Sequence, residues 1–406
     1  MLRRLPPLLA AVVAVVLVAA APASALRPKG LRTHLAHLQT QLGSWSGALV
    51  VDAGSGRVLY RHRPGLDLAP ASNEKLFVTA SALLRFGADA TLATSVVAAP
   101  TTELDDRGVV HGNLYLVGGG DPTLGDDGLA TLADQLAARG VRRVDGAIVG
   151  DDSLFDTRRG GPSTGYGRDI NLGGLITALS WAHGRSDAGG PAHAAAHRLA
   201  ALLRRRHHIR ARRKARRGAL RPETAALAQQ LATIPSPSMA SLIALTNTPS
   251  ENFYAEMLAK ALGASFGTGG TTAAGLAVVR RTLSPLGVRP HLIDGSGLSH
   301  ANRTSARQVV TLLRRMDDPD TAAAWDASLA VAGRTGTLRL RMRGTPAQDR
   351  CRGKTGTLIG VSALSGYCTT AGGRHVVFSF LENRVCNWCA KGVEDDMVAT
   401  IARLSR

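Results

Sequence analysis

Aromatic side chains are scarce in this sequence. Phe, Trp and Tyr make up 4% of its 406 residues, whereas proteins that hold single-stranded nucleic acid usually stack its bases on aromatic rings. The scarcity argues against a stacking platform for single-stranded nucleic acid. Hydrophobic residues are 45% and charged residues 19% of the chain, which is the composition of a globular protein. The length allows a large core and more than one domain.

Motifs for binding nucleotides or metal ions are also missing. Residues 118–122 are glycine-rich and follow a predicted strand, but they lack the Gly-Lys-Ser/Thr of a P-loop and the spacing of a dinucleotide fingerprint. A tight turn is the better interpretation. His193 and His197 lie four apart on a predicted helix, without the glutamate of His-Glu-x-x-His. The sequence predicts no cofactor and no metal ion.

The first 25 residues have the pattern of a signal peptide. Arg3 and Arg4 form a positive start, residues 8–20 are apolar, and residues 23–25 are a small-residue cleavage site. The apolar run is short for a membrane span, and an uncleaved anchor is the alternative. Either way we expect export to the periplasm or cell envelope, or to the extracellular medium.

Only four cysteines are present, and export makes them disulfide candidates. The C-x-x-C at 386–389 has no second ligand pair nearby at zinc spacing, so a small local disulfide is expected. Cys351 and Cys368 lie on the arms of a predicted hairpin. A turn centred between residues 359 and 360 pairs residues whose numbers sum to 719, which places these two cysteines opposite each other, close enough to bond.

The net charge of +19 is dominated by arginine. Ten basic residues fall within residues 204–221. Such a run can contact an anionic polymer, and for an exported protein a cell-wall polymer is a better candidate than nucleic acid. The alternative, which we favour, is a solvated, flexible loop.

A change of sequence pattern from about residue 91 to residue 176 indicates an inserted, β-rich subdomain. We assign residues 91–235, with the basic loop 204–221, to inserted subdomains between the two parts of one domain, residues 26–90 and 236–406. In the insert the patterns predict strands at 94–98, 109–117 and 141–149, and helices at 129–138 and 191–203. Helical patterns resume from Pro222. In the interrupted domain they predict a hairpin at 46–61, a helix from 72 to 86, the hairpin from 351, a strand at 374–381 and a helix at 393–404.

The first motif that carries chemistry is Ser-x-x-Lys at Ser72 and Lys75. The two residues lie one turn apart on one helix face, and a desolvated lysine can take the proton of a serine hydroxyl and so activate it as a nucleophile. The motif alone is weak, because 25 Ser and 6 Lys in the chain give roughly 0.4 matches by chance. A helix N-cap followed by a surface lysine would explain it equally well.

Two further motifs follow in the chain. Ser250 and Asn252 form Ser-x-Asn at the start of a predicted helix, where a serine N-cap is the alternative. Lys-Thr-Gly begins at Lys354, on the first arm of the hairpin. All three motifs together are expected about 0.01 times by chance. Chance occurrence of helix N-caps and surface lysines therefore does not explain them, and a catalytic interpretation is favoured.

Residues 334–338 nearly repeat residues 354–358. The second copy is followed by a turn and another strand, which places it on a hairpin. The first copy is followed by Arg339, Arg341 and Arg343, which we expect to be solvated. We therefore assign Lys-Thr-Gly to the second copy.

In this order, the three motifs resemble those of penicillin-binding proteins and serine β-lactamases. The long stretch between Lys75 and Ser250 is similar to the insertion of class C low-molecular-mass penicillin-binding proteins, which are D-alanyl-D-alanine carboxypeptidases and endopeptidases. Residues 118–124 and 294–299 resemble further family segments, so the resemblance covers essentially the whole mature chain. The sequence departs from the family at Glu251 and Thr335, where aspartate is common.

The resemblance implies an α/β (α+β) fold of the β-lactamase/transpeptidase-like class, with an antiparallel sheet covered by helices and an inserted β-rich subdomain. It implies that Ser72 attacks the penultimate D-Ala carbonyl of a peptidoglycan stem peptide and that Lys75 takes its proton. Ser250 would relay a proton to the leaving amine, and Asn252 would hold Lys75 and the substrate amide.

The third motif is expected to bind the substrate. Lys354 and Thr355 would hold the terminal carboxylate, and Gly356 would leave room for close approach along the strand. The backbone N–H groups of Ser72 and Thr357 would form an oxyanion hole. The resemblance further implies inhibition by β-lactam antibiotics.

Two other functions remain open. A serine β-lactamase shares the acylation step, although no deacylating glutamate is identifiable and the long insertion disfavours it. A non-catalytic wall-binding module could use the basic run, but it would not need to keep Lys75 or Lys354. Asp294 and Ser296 are interpreted as turn residues rather than site residues.

Overall fold

The computed structural model describes residues 26–405, so the predicted signal peptide lies outside the described residues. In this range the strands are β1 (Ser46–Asp52), β2 (Val58–His62), β3 (Thr94–Ala98), β4 (Val109–Val110), β5 (Leu114–Gly118), β6 (Arg143–Val144), β7 (Ile148–Asp151), β8 (Arg210–Ala211), β9 (Arg216–Arg217), β10 (Gln229–Ile234), β11 (Ala330–Val331), β12 (Cys351–Leu358), β13 (Val361–Thr369) and β14 (His375–Asn383). The α-helices are α1 (Pro28–Gln39), α2 (Lys75–Phe86), α3 (Asp126–Ala138), α4 (Pro191–His207), α5 (Pro222–Ala225), α6 (Met239–Asn247), α7 (Asn252–Phe266), α8 (Thr272–Leu283), α9 (Ala306–Met316), α10 (Ala322–Ala327) and α11 (Asn387–Ala402). None of these helices combines the length and the apolar character that crossing a bilayer requires.

The largest sheet is antiparallel and has six strands in the order β11-β12-β13-β14-β1-β2. Because alternate residues of a strand point to opposite faces, the sheet has two apolar faces. Leu49 and Val51 pack with α2, α7, α8 and α9 on one side. Val50 and Phe378 pack with α1 and α11 on the other. The predicted antiparallel sheet covered by helices is confirmed.

Both predicted hairpins are confirmed, together with the register predicted for the later one. β1 pairs with β2 around the turn after Asp52. In the later hairpin Lys354 faces Ser365 and Cys351 faces Cys368, so the paired numbers sum to 719. Both predicted disulfides are formed, Cys351–Cys368 across the strands and a local one at 386–389.

Two smaller sheets lie between Thr94 and Ile234. One has the order β10-β3-β5-β7-β9, the other is β4-β6-β8 with parallel pairing. Helices α3 and α4 pack against them around a separate apolar core that includes Leu116, Leu132 and Leu199.

The strands predicted at 109–117 and 141–149 are each two strands in the structure, so that part of the prediction is wrong. In both segments the chain turns and passes from the three-stranded to the five-stranded sheet. The two turns touch, since Gly146 N–H donates to the Gly112 carbonyl at 2.9 Å. A Cβ at Gly146 would come within 2.3 Å of that oxygen, which explains the glycine.

Two predictions for the end of the insert are also wrong. Helices do not resume at Pro222 without interruption, because only the four-residue α5 precedes strand β10. Nor are residues 204–221 a flexible loop: they contain the last turn of α4 and strands β8 and β9. Within them Arg206 bonds to Asp134 and Arg217 to Asp152.

One of the arginines after the first motif copy is not solvated. Arg341 is largely buried and bonds to Glu394 and Asp395 of α11, at 2.8 and 2.9 Å. Glu394 is fully buried, and a buried carboxylate needs a charged or hydrogen-bonding partner. Arg339 and Arg343 are exposed, as predicted.

Candidate active site

Ser72 lies in a short 3-10 helix, Ala71–Glu74, that leads directly into α2. Its hydroxyl does not cap the helix but accepts a hydrogen bond from Lys75 Nζ at 2.9 Å. Lys75 is completely buried. Burial lowers the pKa of Lys75 to about 8, although nearby carboxylates act in the opposite direction. An appreciable fraction of this lysine is therefore a free base near neutral pH.

Lys75 Nζ has two further acceptors. It donates to Asn252 Oδ1 at 2.7 Å and to the Ser296 carbonyl at 2.5 Å. Three distant segments of the chain thus meet at one amine, and they fix it next to the Ser72 hydroxyl. The structure therefore brings together the first two motifs.

Ser250 precedes α7 but does not cap it; the cap is Glu251, whose side chain accepts from Phe253 N–H. Ser250 has a φ of +67°, which is uncommon for a residue with a side chain. Its hydroxyl accepts a hydrogen bond from Lys354 Nζ at 2.7 Å. Strained backbone of this kind is often found at functional sites.

Strand β12 places the third motif along the cleft. Lys354 is fully buried, and desolvation together with the charge of Lys75 lowers the pKa of Lys354 well below its usual range. The Thr355 hydroxyl donates to Thr337 Oγ1 at 2.8 Å. Thr337 belongs to the first copy of the repeated motif, so that copy contributes to the site. The similarity of the first copy to the second was the feature of the sequence that could have identified Thr337 as a site residue.

Gly356 lies against the loop that carries Ser72. A Cβ at this position would approach the Pro70 carbonyl to 2.6 Å and Asn73 Nδ2 to 3.1 Å. A side chain here would therefore push the loop away from β12. The next residue, Thr357, is exposed at the cleft.

Asn171 and His183 also reach the site. Asn252 Nδ2 donates to the Asn171 carbonyl at 2.8 Å, and the His183 ring stacks on Phe253 with centroids 5.0 Å apart. Residues 164–186 line a cavity of about 980 Å³. Asn171 acts through a backbone carbonyl, so its side-chain identity gave no signal in the sequence.

Residues 294–297 form a buried turn, as predicted. Asp294 accepts hydrogen bonds from the Gly297 and Ser299 N–H groups. Ser296, however, contributes its carbonyl to Lys75. Glu256 of α7 holds this turn and is a further residue that the motifs did not identify.

Comparison with known protein families gives one match along most of the chain. The sequence model of the "D-Ala-D-Ala carboxypeptidase 3 (S13) family" matches residues 29–169 and 210–404. A D-alanyl-D-alanine carboxypeptidase of Actinomadura sp. is 34% identical over 89% of this chain and 81% of its own length. Carboxypeptidase DacB of Mycolicibacterium smegmatis is 29% identical over 87% of this chain and 80% of its own.

Solved structures show the same fold. Penicillin-binding protein 4 (dacB) of Haemophilus influenzae matches with a TM-score of 0.76 at 19% identity, over 89% of this chain and 97% of that one. A penicillin G-acylated predatory endopeptidase of Bdellovibrio bacteriovorus, Bd3459, matches with a TM-score of 0.55 at 17% identity, over 87% and 88%.

Proposed function

The chain belongs to the D-Ala-D-Ala carboxypeptidase 3 (S13) family, and from this premise we propose that Ser72 is the nucleophile of its serine DD-peptidase activity. The substrates are peptidoglycan stem peptides, and β-lactam antibiotics acylate the same serine. The observation that carries the assignment is the contact of the Ser72 hydroxyl with Lys75 Nζ, a completely buried amine.

The reaction begins with attack of Ser72 Oγ on the carbonyl of the penultimate D-Ala. Lys75 takes the hydroxyl proton as the new C–O bond forms. The N–H groups of Ser72 and Thr357 stabilise the oxyanion. Support comes from the pKa of Lys75, which burial lowers to about 8, since a base works best when its pKa is close to the working pH.

Ser250 and Lys354 serve the leaving group. The tetrahedral intermediate collapses, the C–N bond breaks, and the leaving amine takes a proton from the Ser250 hydroxyl, which regains one from Lys75. Lys354 and Thr355 bind the terminal carboxylate of the substrate. Support comes from the hydrogen bond between Lys354 Nζ and Ser250 Oγ, because it keeps the proton donor beside the carboxylate site.

Asn252 orients Lys75 through its side-chain oxygen. A side-chain amide has two N–H donors, and one of them is bonded to Asn171. The second is free to bond to a substrate amide carbonyl. Water finally cleaves the ester on Ser72 and frees the enzyme. If the leaving amine belongs to a cross-linked peptide instead of a free D-Ala, the same steps amount to DD-endopeptidase activity.

Residues 91–235 act as an insert that frames the cleft in this proposal. Support comes from Asn171 and His183, which contact the start of α7. The cavity lined by residues 164–186 lies on this side of the site. A substrate that extends away from Ser72 would meet the insert.

The test is intact mass after incubation with benzylpenicillin, for wild type and Ser72→Ala. A stable adduct on wild type alone supports a penicillin-binding DD-peptidase with Ser72 as nucleophile. An adduct that disappears within seconds while penicillin is consumed would support a β-lactamase instead. Hydrolysis that survives Ser72→Ala would show that the nucleophile is wrong. If folded wild-type protein forms no adduct and does not consume penicillin, the result would support a non-catalytic wall-binding module.

Export is the second part of the proposal. Two bonded cysteine pairs support it, because disulfides persist mainly outside the cytoplasm. Mass spectrometry of the protein isolated from the envelope or medium should give a mature N-terminus after residue 25. Recovery of the full-length chain from the cytoplasm would contradict export.

We also propose that the arginine-rich surface contacts an anionic wall polymer. Arg143 of β6 lies beside Arg210 of β8 in register. Several neighbouring arginines are exposed and form no ion pair within residues 26–405: Arg204, Arg205, Arg210, Arg212 and Arg213. Clustered charge of one sign attracts polyanions in a salt-dependent manner.

Binding to polyphosphate at several salt concentrations tests this surface. Arg212→Glu combined with Arg213→Glu should weaken binding and flatten its salt dependence. Arg280→Glu combined with Arg289→Glu is the matched control, since it removes the same charge from exposed positions elsewhere. Equal binding by the two double variants would contradict a specific surface.

A further inference from the structure

Three carboxyl groups converge on Lys75. Glu74, Glu256 and Asp294 are all completely buried, and the charge of each would raise the pKa of the lysine. The reaction scheme above gives none of them a role. Since a buried carboxylate is costly to keep in a core, their position behind the amine calls for an explanation.

Glu256 is bound to the turn that holds Lys75. Its Oε1 accepts hydrogen bonds from the N–H groups of Gly295 and Ser296, both at 2.8 Å. The carbonyl of Ser296 in turn accepts from Lys75 Nζ at 2.5 Å. Ser296 therefore connects the two groups, because its N–H bonds to the Glu256 carboxylate and its carbonyl bonds to Lys75 Nζ. Gly295 fits close to α7, where a Cβ would meet Ala259 Cβ at 2.9 Å.

The three carboxyl groups differ in their hydrogen-bond donors. Asp294 accepts from two backbone N–H groups and from Asn302 Nδ2. Within residues 26–405, both oxygens of Glu74 are buried without a hydrogen-bond partner, and burial raises the pKa of Glu74 well above its usual range. Burial thus favours the neutral form of Glu74. Burial raises the pKa of Glu256 to about 7, although its N–H donors favour the charged form.

We propose that Glu256 is a positioning residue of the acylation step: it fixes the Ser296 carbonyl against Lys75 and places a negative charge behind the amine. The proposal rests on the roles proposed above for Ser72 and Lys75. Glu256 touches neither substrate nor nucleophile and acts only through the turn and through its charge.

The charged groups around Lys75 determine in which direction its pKa changes when Glu256 is replaced. The groups that face Lys75 are Glu74, Glu251, Glu256, Asp294 and Lys354, and Lys260 faces Glu256 from its own helix. Removing the charge of Glu256 removes one contribution that raises the pKa of Lys75. The pKa of Lys75 then falls, so its free base persists to lower pH.

The pH dependence of acylation by benzylpenicillin tests the charge. In wild type the second-order acylation rate should rise with pH through a midpoint near 8, the pKa of Lys75. In Glu256→Gln, which keeps an oxygen acceptor for the two N–H groups, this midpoint should move to lower pH by on the order of one unit. An unchanged midpoint would overturn the proposal.

A second variant tests the position of the turn. Glu256→Asp keeps the charge but is shorter by one methylene, so it should lower the plateau rate by roughly 10- to 100-fold and leave the midpoint near that of wild type. An unchanged plateau would contradict positioning through Ser296. If Glu256→Gln does not fold, this variant decides the proposal on its own.

Glu382→Gln is the matched control. Glu382 is fully buried like Glu256, but unlike Glu256 it has no hydrogen-bond partner within residues 26–405. It lies on β14, near Glu394 and Arg341. It should change stability without shifting the midpoint. A wild-type protein that benzylpenicillin does not acylate would refute the roles of Ser72 and Lys75, whereas acylated wild type with no shift in Glu256→Gln would refute only the role of Glu256.

Discussion

Two glycines determine how closely the nucleophile's loop fits between its neighbours. On one side, a Cβ at Gly356 would meet the Pro70 carbonyl at 2.6 Å. On the other, Gly297 has a φ of +83°, and its Cβ would meet the Ala71 carbonyl at 2.1 Å. The loop before Ser72 is thus held between two backbone segments, which restricts the position of the hydroxyl.

Gly356→Ala should therefore damage the site more than the fold. The methyl group would push residues 70–73 away from β12, so we expect acylation by benzylpenicillin to fall by roughly 100-fold and stability to fall by about 1–3 kcal/mol. Stopped-flow acylation and urea unfolding measure the two effects.

Gly392→Ala is the control for this substitution. Gly392 lies in α11, and a Cβ there would have no atom within 4 Å. Alanine should stabilise this helix by up to about 1 kcal/mol and leave acylation unchanged. Equal acylation rates for the two variants would show that the contact of Gly356 with Pro70 does not matter.

Thr337→Val should weaken binding of the substrate carboxylate. The substitution keeps the shape but removes the partner of the Thr355 hydroxyl, which is then free to rotate. A hydrogen bond of about 1 kcal/mol corresponds to a several-fold higher KM for a D-Ala-D-Ala peptide, with a smaller change in kcat. Steady-state hydrolysis measures both constants.

Thr311→Val is the isosteric control for Thr337→Val. In the part of the chain that the structure describes, its hydroxyl bonds only to the Arg307 carbonyl one turn earlier in α9. KM should stay at the wild-type value in this variant. If Thr337→Val also left KM unchanged, Thr337 would have no part in holding Thr355.

The helices and hairpins that local sequence determines were predictable, and those that depend on distant pairing were not. The register of β12 with β13 follows from one turn and from alternation along the strands. Strands β8 and β9 have two residues each and exist only because they pair with β6 and β7. β10 likewise depends on β3, more than 130 residues earlier.

The same distinction applies to the candidate site. Its motif residues were identifiable because the proposed chemistry uses their side chains. Asn171 and Ser296 act through backbone carbonyls, which every residue has, so only the fold reveals them. Arg341 was assigned to solvent because the acidic partners on α11 lie about 50 residues away in sequence.

Arg341 should be essential for the docking of α11. Arg341→Leu would leave Glu394 buried without its cation, which typically costs about 3–5 kcal/mol. Urea unfolding should show this loss. Adding Glu394→Gln to the variant should recover part of it, because the unpaired charge is then gone.

Arg343→Leu provides the comparison for Arg341→Leu. Arg343 is exposed, and its Nε bonds to the Arg339 carbonyl, so its loss should change stability by no more than about 0.5 kcal/mol. Similar losses for both arginines would mean that the buried ion pair contributes little.

At the scale of residues 26–405, helix α7 contacts both the core beside the six-stranded sheet and residues of the proposed insert. On its inner side α7 packs in the main core through Phe253 and Leu258. On the side of the insert, Lys260 Nζ donates to Asp156 Oδ1 at 2.6 Å and to the Arg158 carbonyl at 2.7 Å. Asn252, one end of the same helix, carries the bond to Asn171. Helix α7 therefore links the contacts of Lys260 to the Asn252 amide that holds Lys75.

Lys260→Met should loosen the insert and slow the reaction together. Lys260 is buried, and methionine can fill its space but cannot bond to Asp156 or to the Arg158 carbonyl, so we expect a loss of about 1–3 kcal/mol in stability. Hydrogen exchange should increase in residues 152–183. Acylation should slow by roughly 10-fold, because Asn252 is no longer held in one position.

Lys29→Met is the control for Lys260→Met. Lys29 is exposed on α1, so its replacement should leave stability, hydrogen exchange and the acylation rate unchanged. Faster exchange in the insert with a wild-type acylation rate would show that the insert contacts α7 without controlling the site.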